Sequence, residues 1–231
     1  MLCIGLGKLG LIFSFILASK NNFVYGYDIN QNINKDIITN KKSAEPKLNN
    51  LIKKYSKNFK FEENFKLSVF NSTSSFIIVP TPSKKNKEFD NKYIINALNN
   101  IGPYLKNKKK YIINITSTVN PGSCRSFINY LERKYKIKHG REFILTYNPH
   151  LIALGSIYND VINSDVVLIG SNEAYGHKYL KKVYSQIYKK KITKLQFLKL
   201  DEAEIAKIAI NTYITMKISF TNTISQISDK E

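Results

Sequence analysis

The chain has 231 residues, 43% of them hydrophobic, enough for a real core in one large domain or one and a half ordinary ones. No apolar run approaches the roughly 20 residues of a membrane-spanning helix, and no cleavable signal pattern opens the chain. Two cysteines, Cys3 and Cys124, make neither a disulfide framework nor a metal site, so a reducing cytoplasm is the simplest location. The formal charge of +19 raises nucleic acid as a partner, but the lysines are spread along the whole chain among Asn, Ile and Tyr, as an AT-rich coding bias also produces. The two local clusters, Lys106 to Lys110 and Lys189 to Lys191, read as solvated surface.

In chain order, a short apolar run (Met1 to Ile4) leads into Gly5-Leu6-Gly7-Lys8-Leu9-Gly10, and a long apolar run (Leu11 to Ala18) follows. This is G-x-G-x-x-G between a strand and a helix. Gly5 permits the tight turn, Gly7 a close approach of backbone to a pyrophosphate, and Gly10 close packing of helix on strand. The pattern gains weight when an acid follows about 20 residues later at the end of a second strand. Phe23 to Tyr27 is such a strand and Asp28 ends it. A carboxylate there accepts from ribose hydroxyls and repels a 2′-phosphate, which favours NAD over NADP. A glycine turn that binds nothing is the competing reading.

Beyond Asp28, Gln31 to Ile38 reads as a short helix, and Ser43 to Leu48 opens another, with Pro46 in its first turn, that runs to about Lys57. Lys66 to Phe70 and Ser75 to Val79 read as strands, the second stopped by Pro80-Thr81-Pro82. Asp90 caps a helix with apolar residues at Tyr93, Ile94, Ala97, Leu98 and Ile101. The strand Lys110 to Ile115 runs into Thr116-Ser117-Thr118-Val119, and a helix after Pro121-Gly122-Ser123 extends to about Tyr135. Strands follow at Glu142 to Tyr147, broken by Asn148-Pro149, at Asp165 to Gly170 and near Leu195 to Leu200, with a lysine-rich helix over Glu173 to Lys189.

Alternating strands and helices predict an α/β fold, a doubly wound Rossmann-type parallel sheet followed by a long C-terminal helix. Residues 1–200 form the Rossmann-type domain and 201–231 the start of that helix. The loops Pro80 to Ser83, Ser117 to Val119 and Asn148 to Gly155 fall at the carboxyl ends of strands, where ligands bind. From Glu202 to Ser228 there is neither Gly nor Pro, which allows a helix of roughly 40 Å. Glu204, Lys207 and Asn211 lie on one face of it, as a site or as an ordinary polar face. Its apolar positions, such as Ile208, Ala209 and Ile218, call for a continuation beyond residue 231 or a partner subunit.

Seven stretches, in this order, resemble the UDP-glucose/GDP-mannose (nucleotide-sugar) 6-dehydrogenase family: GLGKLG, the acid in YGYD, AEPKL, VPTPS followed by FD, ITSTVNPG, YNPHLIALG and AEIAKIAINTYITMKISFTN. The resemblance implies an NAD-binding Rossmann domain and a bridging helix around which a homodimer forms. It also implies a C-terminal domain carrying a cysteine for thiohemiacetal and thioester intermediates. Such enzymes oxidise the C6 alcohol of a UDP- or GDP-sugar to a carboxylate in two NAD-dependent steps. By motif, Gly5, Leu6, Gly7, Lys8, Leu9, Gly10 and Asp28 would hold the adenosine diphosphate part of NAD. Val79, Pro80, Thr81, Pro82, Ser117, Thr118 and Val119 would line the rest. Thr118 would position a water, and Lys207 would stabilise the oxyanion with Asn211 beside it.

Two departures stand out. Where the family commonly reads N-P-E-F-L-x-E-G, this chain has Asn148-Pro149-His150-Leu151-Ile152-Ala153-Leu154-Gly155. His150 can act as a base in place of the first glutamate, or it packs; Leu154 cannot replace the second. The chain also ends before the segment expected to bear the catalytic cysteine. It therefore reads as the NAD-binding half, a fragment or a truncated form, inactive alone. Cys124 near a helix N-terminus does not take the nucleophile's place, and Cys3 reads as core. A β-hydroxyacid dehydrogenase, and a non-catalytic basic protein on a Rossmann scaffold, are the alternatives. No metal, no membrane and no nucleic acid are expected.

Overall fold

The computed structural model describes residues 1–30, 32–33, 47–152, 156–188 and 194–229. The strands are β1 (Leu2–Ile4), β2 (Val24–Tyr27), β3 (Phe59–Phe61), β4 (Ser74–Ile77), β5 (Tyr111–Ile115), β6 (Phe143–Tyr147), β7 (Val166–Gly170) and β8 (Lys194–Leu198). They form one sheet in the order β3-β2-β1-β4-β5-β6-β7-β8. Between them run α1 (Lys8–Ala18), α2 (Leu48–Tyr55), α3 (Phe65–Phe70), α4 (Lys92–Ile101), α5 (Ser123–Tyr135), α6 (Ile157–Ile162) and α7 (Ala174–Ile187). The helix α8 (Leu200–Ser228) ends the described chain.

The central strands are apolar on both faces because each face carries helices. On one side α1, α6 and α7 pack Phe13, Ile16, Ile157 and Leu180 against Cys3, Phe76 and Ile169. On the other, α4, α5 and the first turn of α8 bring Ile94, Leu98, Phe127, Leu131 and Leu200 against Leu2, Ile77 and Ile113. Every residue of α1 from Gly10 to Ala18 is buried, which explains a helix apolar all round. The order of strands reverses between β1 and β4, and their carboxyl ends open a crevice there.

The predicted parallel doubly wound sheet stands over β1 to β6, with one qualification. Strand β7 pairs with β6 antiparallel, through Tyr147 and Gly170, and β8 then follows β7 in parallel. The chain thus re-enters the sheet from the end at which it left.

Other expectations shift locally. Lys66 to Phe70 is helical, not a strand: the Asn64 side chain accepts from the Leu67 N–H at 3.2 Å and caps the turn. The strand of that region is the shorter β3, which the alternation in Lys66 to Phe70 masked. Helix α6 was not foreseen either. The cap of α4 falls on Asn91 instead of Asp90, whose carboxylate accepts from the Lys92 N–H at 3.0 Å. The helix expected over Gln31 to Ile38, the turn at Pro46 and the Lys189 to Lys191 cluster lie wholly or mainly outside the described residues.

Candidate active site

The glycine loop leaves β1 at Gly5, whose φ is +90°. A Cβ there would lie 2.3 Å from the Ile78 carbonyl oxygen, so conformation and space both demand glycine. At Gly10 a Cβ would meet the Gly5 carbonyl oxygen at 1.9 Å, because the first turn of α1 sits directly on the loop. Gly7 differs. It is exposed, and no described atom lies within 4 Å of where its Cβ would be. Packing does not require glycine there, and the backbone is open to the approach of a ligand. The first intrahelical bond runs from the Leu11 N–H to the Gly7 carbonyl at 3.0 Å. The N–H groups of Lys8, Leu9 and Gly10 therefore have no helical acceptor and suit an anion.

Asp28 stands at the end of β2 beside this loop. Its carboxylate accepts from the Leu6 N–H at 2.6 Å and from the Asn30 N–H at 2.8 Å. Those bonds hold both oxygens in place while leaving acceptor capacity for a ribose. Across the crevice, the Ser117 hydroxyl accepts from the Val79 N–H at 2.9 Å and donates to the Val79 carbonyl at 2.7 Å. One side chain thus ties the loop after β5 to the loop after β4. The cleft between these loops measures about 790 Å³, within the range of small-molecule sites.

Helix α8 closes the site from the far side. Glu204 is fully buried, and its carboxylate accepts from the Gly122 N–H and the Cys124 N–H, each at 2.7 Å. It caps the N-terminus of α5 from a different element and so fixes how α8 leaves the sheet. One turn further, Lys207 is 6% exposed and its Nζ donates to the His150 carbonyl at 3.0 Å. Burial pulls its pKa below the ordinary lysine value. No carboxylate among the described residues pairs with it. An unpaired, largely desolvated ammonium on a cleft wall can stabilise negative charge developing on a ligand.

His150 follows β6. Its ring packs edge-on against Phe13, with centroids 4.9 Å apart, and Nε2 lies 2.9 Å from the Tyr184 hydroxyl. Burial first, and the Lys207 charge second, lower its pKa to about 4, so the imidazole is neutral at pH 7.

Of the residues expected at a site, Gly5, Gly7, Lys8, Leu9, Gly10, Asp28, Val79, Pro80, Thr81, Ser117, Thr118, His150 and Lys207 line this one cleft. Leu6, Pro82 and Val119 do not: Leu6 contributes only its backbone N–H to Asp28, Pro82 is exposed, and Val119 is core. Asn211 is exposed on α8, outside the cleft wall. Cys3 is core, its thiol raised to about 11 by burial. The Cys124 thiol is pushed well above its usual range by burial and by Glu204, whose carboxylate already occupies the helix end that could have activated it. Tyr27, Tyr93, Asn96 and Asn100 also line the cleft and were missed. Residues on α4 reach it only through the sheet order, which no local pattern reveals. Ala153, Leu154 and Gly155 lie outside the described residues.

A glycine loop at a helix N-terminus, an acid at the end of the second strand and a cleft at the switch point define a dinucleotide-binding domain of Rossmann type. The model of the UDP-glucose/GDP-mannose dehydrogenase family, NAD binding domain, matches residues 1–188. The chain belongs to that family, and its cofactor is NAD. It is 29% identical to a UDP-glucose 6-dehydrogenase of Rickettsia felis over 98% of this chain and 50% of that protein. With a GDP-mannose 6-dehydrogenase of Pseudomonas aeruginosa it shares 28% identity over 97% of this chain and 52% of that one. A crystal structure of a ternary complex of GDP-mannose dehydrogenase from Pseudomonas aeruginosa superposes with a TM-score of 0.89 at 25% identity, covering 96% of this chain and 51% of that one. The chain spans about half the length of the relatives it matches. Family membership sets aside the β-hydroxyacid dehydrogenase reading. Among the described residues no helix is long and apolar enough to cross a membrane.

Proposed function

We propose that this chain is the cofactor half of an NAD-dependent nucleotide-sugar 6-dehydrogenase, which oxidises the C6 alcohol of a UDP- or GDP-linked sugar to a carboxylate in two steps. The observation that carries the reading is Lys207: a buried ammonium with no acidic partner among the described residues forms part of the cleft that the glycine loop and Asp28 line. NAD, when bound, supplies the hydride acceptor. The chain's own residues do the rest. The N–H groups of Lys8, Leu9 and Gly10 hold the phosphates, with Gly7 leaving room for them, and Asp28 takes the ribose hydroxyls. Val79, Pro80, Thr81, Ser117 and Thr118 line the remainder, and Thr118 orients a water. Lys207 stabilises the negative charge that develops on the oxidised oxygen, and such a charge in a dry site is worth several kcal/mol of barrier. His150 accepts a proton from that water or hydroxyl. Asn211 joins the site from the side that the other half of the protein covers.

In this reading residues 201–231 begin a bridging helix between 1–200 and a sugar-nucleotide domain, and the full protein is a homodimer built on α8. From Asn211 onward the described helix is exposed, with Tyr213, Met216 and Phe220 each more than half exposed. An apolar groove of about 430 Å³ between Pro121 and the face of α8 supports burial against a partner. The first measurement is the melting temperature of the 231-residue chain with NAD and with NADP. NAD raises it, NADP does so less, and UDP-glucose elicits no NAD reduction. A salt-dependent shift with DNA and no response to NAD would overturn the reading in favour of a basic binding protein. NAD reduction by this chain alone would overturn the division of labour between the halves.

A further inference from the structure

The cleft wall formed by His150 rests on a chain of hydrogen bonds that begins at a backbone carbonyl. Leu168 is in β7, and its carbonyl can only accept. Asn148 is fully buried, and its Nδ2 donates to that carbonyl at 2.6 Å. The amide is therefore oriented with Oδ1 towards Tyr184; turned over, it would set two carbonyl oxygens against each other in a buried site. The Tyr184 hydroxyl, itself buried, donates its one proton to Asn148 Oδ1. That leaves the phenolic oxygen as an acceptor towards His150 Nε2, 2.9 Å away. Were Nε2 the acceptor instead, the phenol proton would turn to it, and two oxygens would face each other with no proton between them.

We propose that Asn148 and Tyr184 are positioning residues that hold His150 as the Nε2–H tautomer, so that Nδ1 is the proton acceptor this ring offers to the cleft. No described residue hydrogen-bonds Nδ1. The polarity follows from a backbone carbonyl, so it is a property of the fold and not of pH. The ring's neutrality at pH 7 agrees with this, since burial and Lys207 bring its pKa to about 4. The neutral imidazole does not form an ion pair that would neutralise Lys207. The tautomer stands on the hydrogen bonds alone; its use as a base rests on the dehydrogenase reading.

The chain has three histidines, which makes a direct test practical. Long-range proton–nitrogen correlation on the 15N-labelled chain at pH 7, with His150 assigned by H150Q, reports which ring nitrogen carries the proton. The expected spectrum has His150 protonated at Nε2 and bare at Nδ1, in a ratio of about tenfold or more. In Y184F the ratio falls by about fivefold, the equivalent of one ordinary net hydrogen bond. A proton on Nδ1 in the wild-type chain overturns the proposal, and so does a ratio indifferent to Y184F. Should Y184F fail to fold, the wild-type spectrum alone still decides. Because the spectrum needs no cofactor, failure of the tautomer and failure of NAD binding are read separately.

Discussion

Replacement of Glu204 by alanine tests how the site is assembled. Its carboxylate satisfies two backbone donors at the start of α5, the Gly122 N–H and the Cys124 N–H, at 2.7 Å each. Hydrogen bonds to a charged group are worth about 1.5–3 kcal/mol each. Gly122 sits at an exposed turn where water can replace the carboxylate, whereas Cys124 is buried and its N–H would be left without a partner. Counting one bond in full and the other in part, Glu204→Ala should destabilise the chain by about 3 kcal/mol. For a chain of this size that lowers the melting temperature by roughly 6–12 °C. Glu202 is the control, two residues earlier on the same helix: its carboxylate accepts from the exposed Lys199 N–H at 2.8 Å. Its loss should cost about 1 kcal/mol, as for an ordinary cap. Glu204→Gln should fall between, because one amide oxygen can serve only one side of the pair while the amide nitrogen faces the other donor. Urea unfolding followed by circular dichroism measures all three. Loss of Glu204 that costs no more than loss of Glu202 would show that α8 is not held by this clamp, and the placement of Lys207 would lose its physical basis.

Three further predictions concern the glycine loop and His150. Gly10→Ala should abolish folding or cost several kcal/mol, since its Cβ would sit 1.9 Å from a backbone oxygen. Gly7→Ala should leave urea stability within about 0.5 kcal/mol of wild type, as surface changes do, yet weaken NAD binding in calorimetry. Equal NAD affinity in Gly7→Ala would refute a cofactor lying against that backbone. Stability should also depend on His150: with a folded pKa of about 4 against 6.5 unfolded, the unfolded chain takes up the proton first. That contribution is complete above pH 6.5 and shrinks as pH falls, by about 2 kcal/mol between pH 7 and pH 5. Burial lowers the His139 pKa as well, so the measure is the difference between wild type and H150Q. Parallel pH curves for the two would rule the shift out.

Local chemistry made most of the frame legible. Glycine spacing, an acid after the second strand and prolines after the fourth are signals carried by a few neighbouring residues. So is the 3.6-residue rhythm of α4, where Ile94, Ala97, Leu98 and Ile101 are all buried. The short pieces failed, because three or six residues hold too little periodicity: Lys66 to Phe70 alternates like a strand, and its helical fate was decided by the Asn64 cap.

What the sequence determined by itself was the kind of site: which loops meet a nucleotide, and that a lysine and a histidine in family positions belonged to the question. Only the tertiary structure decided their chemical state. Glu204, Lys207 and Asn211 share a helix face on spacing alone, yet they part company. The first is buried as the cap of another helix, the second is largely buried with no acid paired to it among the described residues, and the third is exposed. His150 became a neutral acceptor of defined polarity because residues 34 positions apart in the chain, and a carbonyl of a third element, meet around it. Residue type sets what a group can do, but burial and the direction of its hydrogen bonds set which form it takes, and those depend on neighbours that are distant in the chain.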